Sequence, residues 1–402
     1  MSDELLGMQP VLFHDVSTSK ILRRTPPNSS TNALAGYVLK ELPKDIQDWS
    51  ESALSLESLA KRQTQLLETE RQRLYTLQTA EEAAIVQLDL LMLLGAYLPA
   101  KEAAYELAPP LLLELLAHIS TQHQLPSRLT YELIVDVNTT AFLQSGGHIR
   151  TFSRGKTGRI ERDFYIGHYF AERHIRSSYE LLAAVVSTPN IPNRCAYLRS
   201  ALTGLVQFTE YMAAYSRLPA DGYAYFRRFL TPYPDKIKNA SGAFMPTPQL
   251  FEMLLHKSDF AQTEYLHRNA QYFPRWAQEQ LQAQTEPTAN APTIQSLLAN
   301  NALYLDTDEQ QLLDAIIEQF IRFKLMHIRV ASSKIPEAFP KPPTTEREAL
   351  RSFQPKLDAK RDGTGTQRGT GGFAPQDFLA DGVRRLLDLQ TRLQQSRSKT
   401  HA

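Results

Sequence analysis

The sequence has little of several features that would indicate a specialised class of protein. Its 402 residues include a single cysteine, Cys195, which excludes an intrachain disulfide framework and a thiolate metal cluster. The formal net charge is only +1, so the composition gives no reason to expect nucleic acid or an anionic membrane as a partner. With 42% hydrophobic residues, the chain has enough apolar material for one large core or two smaller ones.

Long hydrophobic runs are also missing. The two most apolar stretches, LDLLMLLGAYL and APPLLLELLAHI, are well short of the roughly 20 residues that a membrane span requires, and we interpret them as buried helix faces. The N-terminal stretch MSDELLGMQPVLFHD starts acidic and lacks the basic-then-apolar pattern of a secretory signal. Together with the single cysteine, this predicts a cytoplasmic protein.

Almost all of the periodicity in the sequence is helical, which predicts an all-α fold. Thr79 to Glu82 match a capping box that opens one helix. The other helices are predicted at about 51–78, 109–123, 163–187, 195–216, 248–258, 308–333 and 376–396. A strand or two is expected only in LTYELIVDVNTTAFL, at 129–143. A polar, glycine-rich break at 144–162 predicts a smaller N-terminal domain over 1–150 and a larger helical domain over 151–402.

Glycine is infrequent in the chain, so its clustering near the C-terminus suggests a functional role for this segment. RGTGGFAPQDFL, at 368–379, is rich in glycine and is followed at once by a helical pattern. The segment before it, from 335 to 367, is rich in prolines and charges and has little apolar surface to bury. We predict a mobile loop at about 335–373 that closes over a pocket.

His327 continues the apolar stripe of the helix predicted at 308–333, because it occupies the next inward position. The stripe consists of Leu313, Ile316, Ile317, Phe320 and Phe323. A histidine in this place is either a core residue bonded to a backbone carbonyl or an axial ligand that binds a metal or haem through a neutral imidazole. Taken alone, the spacing leaves both interpretations open.

A second candidate is FYIGHYFAE, at 164–172, where Phe164, His168 and Glu172 share one helix face. This face belongs either to an amphipathic surface helix or to a site.

In GYAYFRRFLTPY, at 222–233, two arginines stand among aromatic residues. They are either solvated charges or include one that binds a small carboxylate. NASGAF, at 239–244, is a turn of small residues that permits close approach of the backbone.

These stretches, taken in their order along the chain, resemble the haem-dependent indoleamine and tryptophan 2,3-dioxygenase superfamily. RGTGGFAPQDFL is similar to that family's Gly-Thr-Gly-Gly loop and the helix start behind it. His327 falls on the helix upstream of this loop, where the family has its proximal haem ligand. The similarity extends over roughly 160–396 and implies a helical haem-binding catalytic domain.

By the same resemblance, each stretch supplies part of a site for a small indole or aromatic amino acid. Phe164 corresponds to the aromatic residue that packs on the substrate ring. His168 corresponds to a distal histidine that hydrogen-bonds the indole N–H or the dioxygen. Arg227 corresponds to the arginine that pairs with the substrate carboxylate.

Small and hydroxylated residues complete the site that the resemblance implies. Ser241 belongs to the distal turn, and Thr370 can offer a hydroxyl to the substrate ammonium or the haem edge. With His168, these two are the expected catalytic residues. The remaining expected substrate contacts are Tyr223, Gly242, Gly371 and Gly372.

The resemblance implies haem b as the cofactor, with His327 as the proximal ligand and dioxygen as co-substrate. The expected reaction is 2,3-dioxygenation of tryptophan or a related indole amino acid, which opens the pyrrole ring. One alternative is a haem-dependent monooxygenase or ring-rearranging enzyme of secondary metabolism that acts on an aromatic amino acid. The other is a protein without catalysis, either haem-binding or a helical interaction protein.

Overall fold

The structure is a computed structural model, and it describes residues 32–97, 104–145, 147–219, 245–257, 269–285, 291–334 and 375–400, with single positions at 222, 225, 226, 229, 230, 263, 266 and 267. All regular secondary structure in these residues is helical, which confirms the all-α class. The predicted loop at 335–373 lies outside the described residues.

The N-terminal helices pack around a leucine-rich core. They are α1 (Ala33–Gly36), α2 (Leu42–Ser50), α3 (Leu56–Tyr75), α4 (Ala80–Gly95), α5 (Ala104–Leu107), α6 (Pro110–His123) and α7 (Asn138–Ser145), with a π-helical segment Tyr37–Glu41 between α1 and α2. The predicted cap of α4 is present, because the Thr79 hydroxyl accepts the Glu82 backbone N–H at 3.2 Å. In α4 the residues from Ile85 to Gly95 are all buried.

Seven further helices follow among the described residues, and the sequence predicts five of them. They are α8 (Gly155–Ser187), α9 (Arg194–Ala214), α10 (Pro246–Leu255), α11 (Arg275–Thr285), α12 (Ile294–Ala299), α13 (Thr307–Lys334) and α14 (Pro375–Thr400). A short 3-10 turn, Tyr215–Arg217, follows α9, and another, Ala270–Tyr272, precedes α11. Six of the described helices, α1, α2, α5, α7, α11 and α12, were not predicted as helices.

The prediction of strands in 129–143 was wrong. Glu132–Val137 is a π-helical segment that continues directly into α7. Its apolar residues, Leu133, Ile134 and Val135, are buried, and the segment packs against both α4 and α8. A short apolar run of this kind fits either a strand or a buried helix, and here the surrounding helices decide the outcome.

The predicted break at 144–162 is shorter than expected, because α8 already begins at Gly155. The carboxylate of Glu161 accepts the backbone N–H groups of Phe152 at 2.8 Å and Ser153 at 2.9 Å, which fixes the turn before the helix. Just ahead of this turn, Arg150 forms a fully buried ion pair with Asp89 of α4. The segment around the predicted boundary at 150 is therefore bonded to α4 before it and to α8 after it. The division into two domains stays a prediction.

The helices that carry the candidate residues are arranged around α9. Helix α9 packs along α8 on one side and along α13 on the other, and α14 packs on α13. Helix α10 contacts α8, α11 and α14. None of the described helices is long and apolar enough to cross a membrane.

Candidate functional site

Phe164 and His168 lie one turn apart on α8, and their rings are in contact with centroids 4.1 Å apart. The Nδ1 atom of His168 is 2.9 Å from the backbone oxygen of Phe164. A carbonyl oxygen only accepts hydrogen bonds, so Nδ1 carries the proton and Nε2 keeps its lone pair. Burial is the main reason that the pKa of His168 is lowered to about 4, and the imidazole is therefore neutral near pH 7.

Two tyrosines hold this imidazole in place. The ring of Tyr215 stacks on that of His168, with centroids 4.3 Å apart and 26° between the planes. Its hydroxyl donates to the Phe164 carbonyl at 3.2 Å, the same oxygen that receives the His168 proton. Tyr131 meets the imidazole edge-on at 5.8 Å and donates its hydroxyl to the His168 carbonyl at 3.3 Å. The direction of Nε2 is consequently set by ring packing on two sides.

Glu172 confirms the predicted common face of α8, because its side chain is also buried, one turn beyond His168. One of its oxygens accepts a hydrogen bond from the Thr247 hydroxyl of α10. The other, Oε2, is buried without a hydrogen-bond partner among the described residues. Burial, reinforced by Asp136, raises the pKa of Glu172 to about 8, so the group is mostly a neutral carboxylic acid at pH 7.

His327 occupies the inward face of α13, as its spacing predicts. The five residues of the preceding stripe are buried, and the imidazole lies 5.8 Å from the Phe323 ring. His327 itself is only half-buried, and neither ring nitrogen has a hydrogen-bond partner among the described residues. Even so, desolvation and the charge of Lys324 lower its pKa to about 4.

The two histidines are within electrostatic reach of each other. A charge on His327 contributes to the lowered pKa of His168, although the residues lie on α13 and α8. Both helices pack along α9, while direct contacts between the described parts of α8 and α13 are few. The two neutral imidazoles are therefore close enough to interact electrostatically, although they belong to different helices that both pack on α9.

The properties of His327 fit the axial ligand of a haem. A haem ring supplies four nitrogen ligands itself, so one neutral imidazole with an available lone pair is sufficient on the protein side. His327 has no competing hydrogen bond to a described residue, and its nearest described ring, that of Phe323, packs in turn on Phe208 of α9. No group of three or more metal-ligating side chains occurs among the described residues.

Several predicted site residues lie outside the described residues, and their places stay predictions. They are Tyr223, Arg227, Ser241, Gly242, Thr370, Gly371 and Gly372. The neighbours of Arg227 are partly described. Phe226, which immediately precedes it, is fully buried and packs on Phe164 with ring centroids 5.2 Å apart. Phe229 is also buried and stacks on Phe152. The segment that carries the two arginines therefore begins beside the candidate site.

Tyr131 and Tyr215 were not among the predicted site residues. Tyr131 lies in the stretch that was assigned to strands, which hid its helical neighbours. Tyr215 follows the last residue of α9, where no periodic position distinguishes it from other tyrosines. Only the packing of α9 against α8 brings its ring onto His168, and local spacing gives no signal for such a contact.

A comparison with protein-family models finds no matching family, and a comparison with curated proteins finds no similar one.

Proposed function

We propose that the chain is a haem-dependent oxygenase that acts on tryptophan or a related indole amino acid, with 2,3-dioxygenation of the indole ring as its reaction. The observation that carries the proposal is His327, a neutral imidazole without a hydrogen-bond partner among the described residues, which lies within electrostatic range of His168. Its neutral imidazole offers a lone pair of the kind that binds a haem iron.

The protein's share of the reaction is binding and orientation. Haem b, held by His327, would supply the dioxygen chemistry. Nε2 of His168 is an acceptor, because its partner Nδ1 is committed to the Phe164 carbonyl. It can therefore receive the N–H of an indole ring and hold that ring in one orientation. Phe164, itself only half-buried, can pack on the face of the same ring.

The aromatic groups around His168 also keep the site dry. Tyr215, Tyr131 and Phe226 are buried, and their rings surround Phe164 and His168. Exclusion of water strengthens each hydrogen bond to the substrate and protects reactive species from hydrolysis. Arg227 is proposed as the partner of the substrate carboxylate and Thr370 as a hydroxyl donor, and both assignments depend on the resemblance described above.

The test of the proposal is the haem content of His327→Ala. Wild-type protein purified with haem should show a Soret band, and the His327→Ala variant should lose most of it while its far-ultraviolet circular dichroism stays helical. His174→Ala is the matched control, since His174 lies on α8 but stacks on Tyr211 instead of facing the site. Full haem occupancy and an unchanged spectrum in His327→Ala would contradict the assignment.

Turnover then distinguishes the reaction classes. Tryptophan and substituted indole amino acids are supplied with reductant under labelled dioxygen, and the product masses are measured. Two labelled oxygen atoms in a ring-opened product are the expected result. One labelled atom would indicate a monooxygenase, and an isomeric or rearranged product would indicate ring rearrangement. A haem-loaded protein that binds these compounds but never changes them would be a haem-binding protein without catalysis.

A further inference from the structure

A buried charged cluster lies one turn from His327, and the proposed function does not use it. Lys324 of α13 donates to Glu252 Oε2 of α10 at 2.6 Å, and His256 Nε2 lies 3.3 Å from Glu252 Oε1. All three side chains are almost completely buried, with 1–3% exposed. We call Lys324, Glu252 and His256 the proximal cluster.

The proximal cluster contains an ion pair. Burial alone would raise the pKa of the Glu252 carboxyl, but the charge and hydrogen bond of Lys324 and the nearby His256 overcome this and hold the pKa at about 2. Removal of one partner from such a pair leaves an uncompensated buried charge, whereas neutral replacement of both is often tolerated. The pair therefore constrains its surroundings strongly, because neither charge can move away from the other.

Helix α14 closes directly over this pair. A Cβ atom on Gly382 would overlap both Lys324 Nζ and Glu252 Oε1, so a larger residue here would displace the two charged groups. The helix is held further by the buried side chains Val383, Leu386, Leu389 and Leu393. Gln390 also donates to Asp314 of α13 at 2.9 Å. Three helices, α10, α13 and α14, thus meet at one charged contact.

The position of this contact on α13 connects it to the candidate ligand. Residues three apart on a helix lie on neighbouring parts of one face, and Lys324 precedes His327 by three. The Lys324 ammonium lies 5.6 Å from the centre of the Phe320 ring, on the same inward side of α13. Whatever fixes Lys324 therefore fixes the rotation of α13 at His327.

We propose that Lys324, Glu252 and Gly382 are positioning residues for His327: the sealed ion pair locks α13 against α10 and α14 and so sets the direction of the imidazole. This inference rests on the proposed function, since it assigns the lock to the ligand of the cofactor. Groups that hydrogen-bond a metal ligand commonly change metal affinity by roughly 10- to 100-fold when they are replaced, and we take the same range for a pair that orients the ligand through its helix.

The first experiment measures the rate of haem loss to an excess of a haem-scavenging protein. Lys324→Met and Glu252→Gln should lose haem roughly 10- to 100-fold faster than the wild type and show a shifted Soret band. Lys324→Arg keeps the charge and should restore most of the retention, and the double variant should lose haem more slowly than either single one. Glu279→Gln, which breaks an exposed pair with Arg275, is the control and should change nothing.

Two further measurements separate positioning from general stability. Gly382→Ala should accelerate haem loss, whereas Gly36→Ala should not, because a Cβ on Gly36 meets nothing within 4 Å. The ring signals of His327 in nuclear magnetic resonance spectra of the haem-free protein should shift in Lys324→Met and stay unchanged in Glu279→Gln. This second readout needs no cofactor, and the signals are assigned by their absence in His327→Ala.

The outcomes are distinct. Haem loss that is unchanged in Lys324→Met and Glu252→Gln, or that rises only in proportion to the unfolded fraction, would overturn the positioning role. If the wild type binds no haem at all, the proposed function is wrong. In that case the His327 ring signals still test whether Lys324 positions the imidazole. Signals that do not respond to Lys324→Met would overturn the positioning role as well.

Discussion

The imidazole of His168 lies against the ring of Tyr215, with centroids 4.3 Å apart, and both side chains donate to the carbonyl oxygen of Phe164. The stacking fixes the plane of the imidazole, and the shared acceptor fixes which nitrogen keeps its proton. A residue from the end of α9 therefore determines the orientation and tautomer of a side chain on α8. Two substitutions can separate these contributions.

Loss of the Tyr215 ring should lower the free energy of unfolding more than loss of its hydroxyl. Tyr215→Phe keeps the stacked ring and loses one hydrogen bond, which should lower the free energy of unfolding by about 0.5–1.5 kcal/mol. Tyr215→Ala removes a buried ring and should lower it by about 3–5 kcal/mol. Urea unfolding at pH 7 measures both values. Equal losses in the two variants would show that ring packing at His168 contributes little.

His168 should affect the affinity for an indole through one hydrogen bond. His168→Leu removes the Nε2 acceptor, and tryptophan should then bind roughly 2- to 10-fold more weakly, as expected for about 0.5–1.5 kcal/mol. The measurement is a substrate titration followed by calorimetry or by the haem spectrum. His174→Leu is the matched control on the same helix and should bind like the wild type.

A substrate analogue makes this test more specific. Tryptophan methylated at the indole nitrogen has no N–H to donate, so the wild type and His168→Leu should bind it with similar affinity. If His168→Leu weakens the methylated and unmodified compounds equally, the residue contributes by packing and not by accepting the indole proton.

Glu172 should make stability depend on pH in a defined window. Its pKa is raised from the ordinary 4.5 to about 8, so between these values the folded state holds a proton that the unfolded state has released. Stability contributed by this group therefore falls as pH rises, by about 1.4 kcal/mol per pH unit at most. Glu172→Gln lacks the titration, and its stability relative to the wild type should rise from pH 5 to pH 8.

The difference between the two proteins isolates this effect. His168 and His327 have lowered pKa values, so each adds stability as pH rises from about 4 towards 6.5, but both are present in either protein and cancel. Urea unfolding of wild type and Glu172→Gln at four pH values gives the difference directly. A difference that is flat across the window would mean that Glu172 ionises as it does in water.

The helices and the inward faces could be predicted because they depend on local spacing. The stripe that ends at His327 and the face that joins Phe164 to His168 are read from intervals of three and four residues. Contacts between distant segments leave no such pattern. Lys324 and Glu252 are 72 residues apart in the chain, and nothing near either residue indicates that they meet.

The same reasoning explains the error at 129–143 and the missed tyrosines. β-Branched residues in that stretch favour a strand locally, and burial between α4 and α8 makes it helical instead. Tyr215 was not distinguished because its partner, His168, lies 47 positions earlier on another helix. A site that is assembled from several helices is therefore visible in the sequence only through the residues that share one of them.

The two adjacent arginines provide a test of whether the substrate is an amino acid at all. If their segment is helical, consecutive side chains point about 100° apart, so only one of them can face the site. The resemblance assigns Arg227 to the substrate carboxylate. A charge-assisted pair of this kind is worth about 1.5–3 kcal/mol, so Arg227→Leu should weaken tryptophan binding by roughly ten- to a hundred-fold. Arg228→Leu is the matched control and should bind tryptophan like the wild type.

Ligands without a carboxylate provide a second test of the role of Arg227. Indole and tryptamine offer the same ring but no carboxylate, so Arg227→Leu and the wild type should bind them about equally. Titration of all three ligands into the three proteins gives a complete comparison. If neither arginine variant loses affinity for tryptophan, the carboxylate has no partner in this segment. The substrate would then be an aromatic compound other than an α-amino acid, and ring opening of tryptophan would no longer be the reaction to expect.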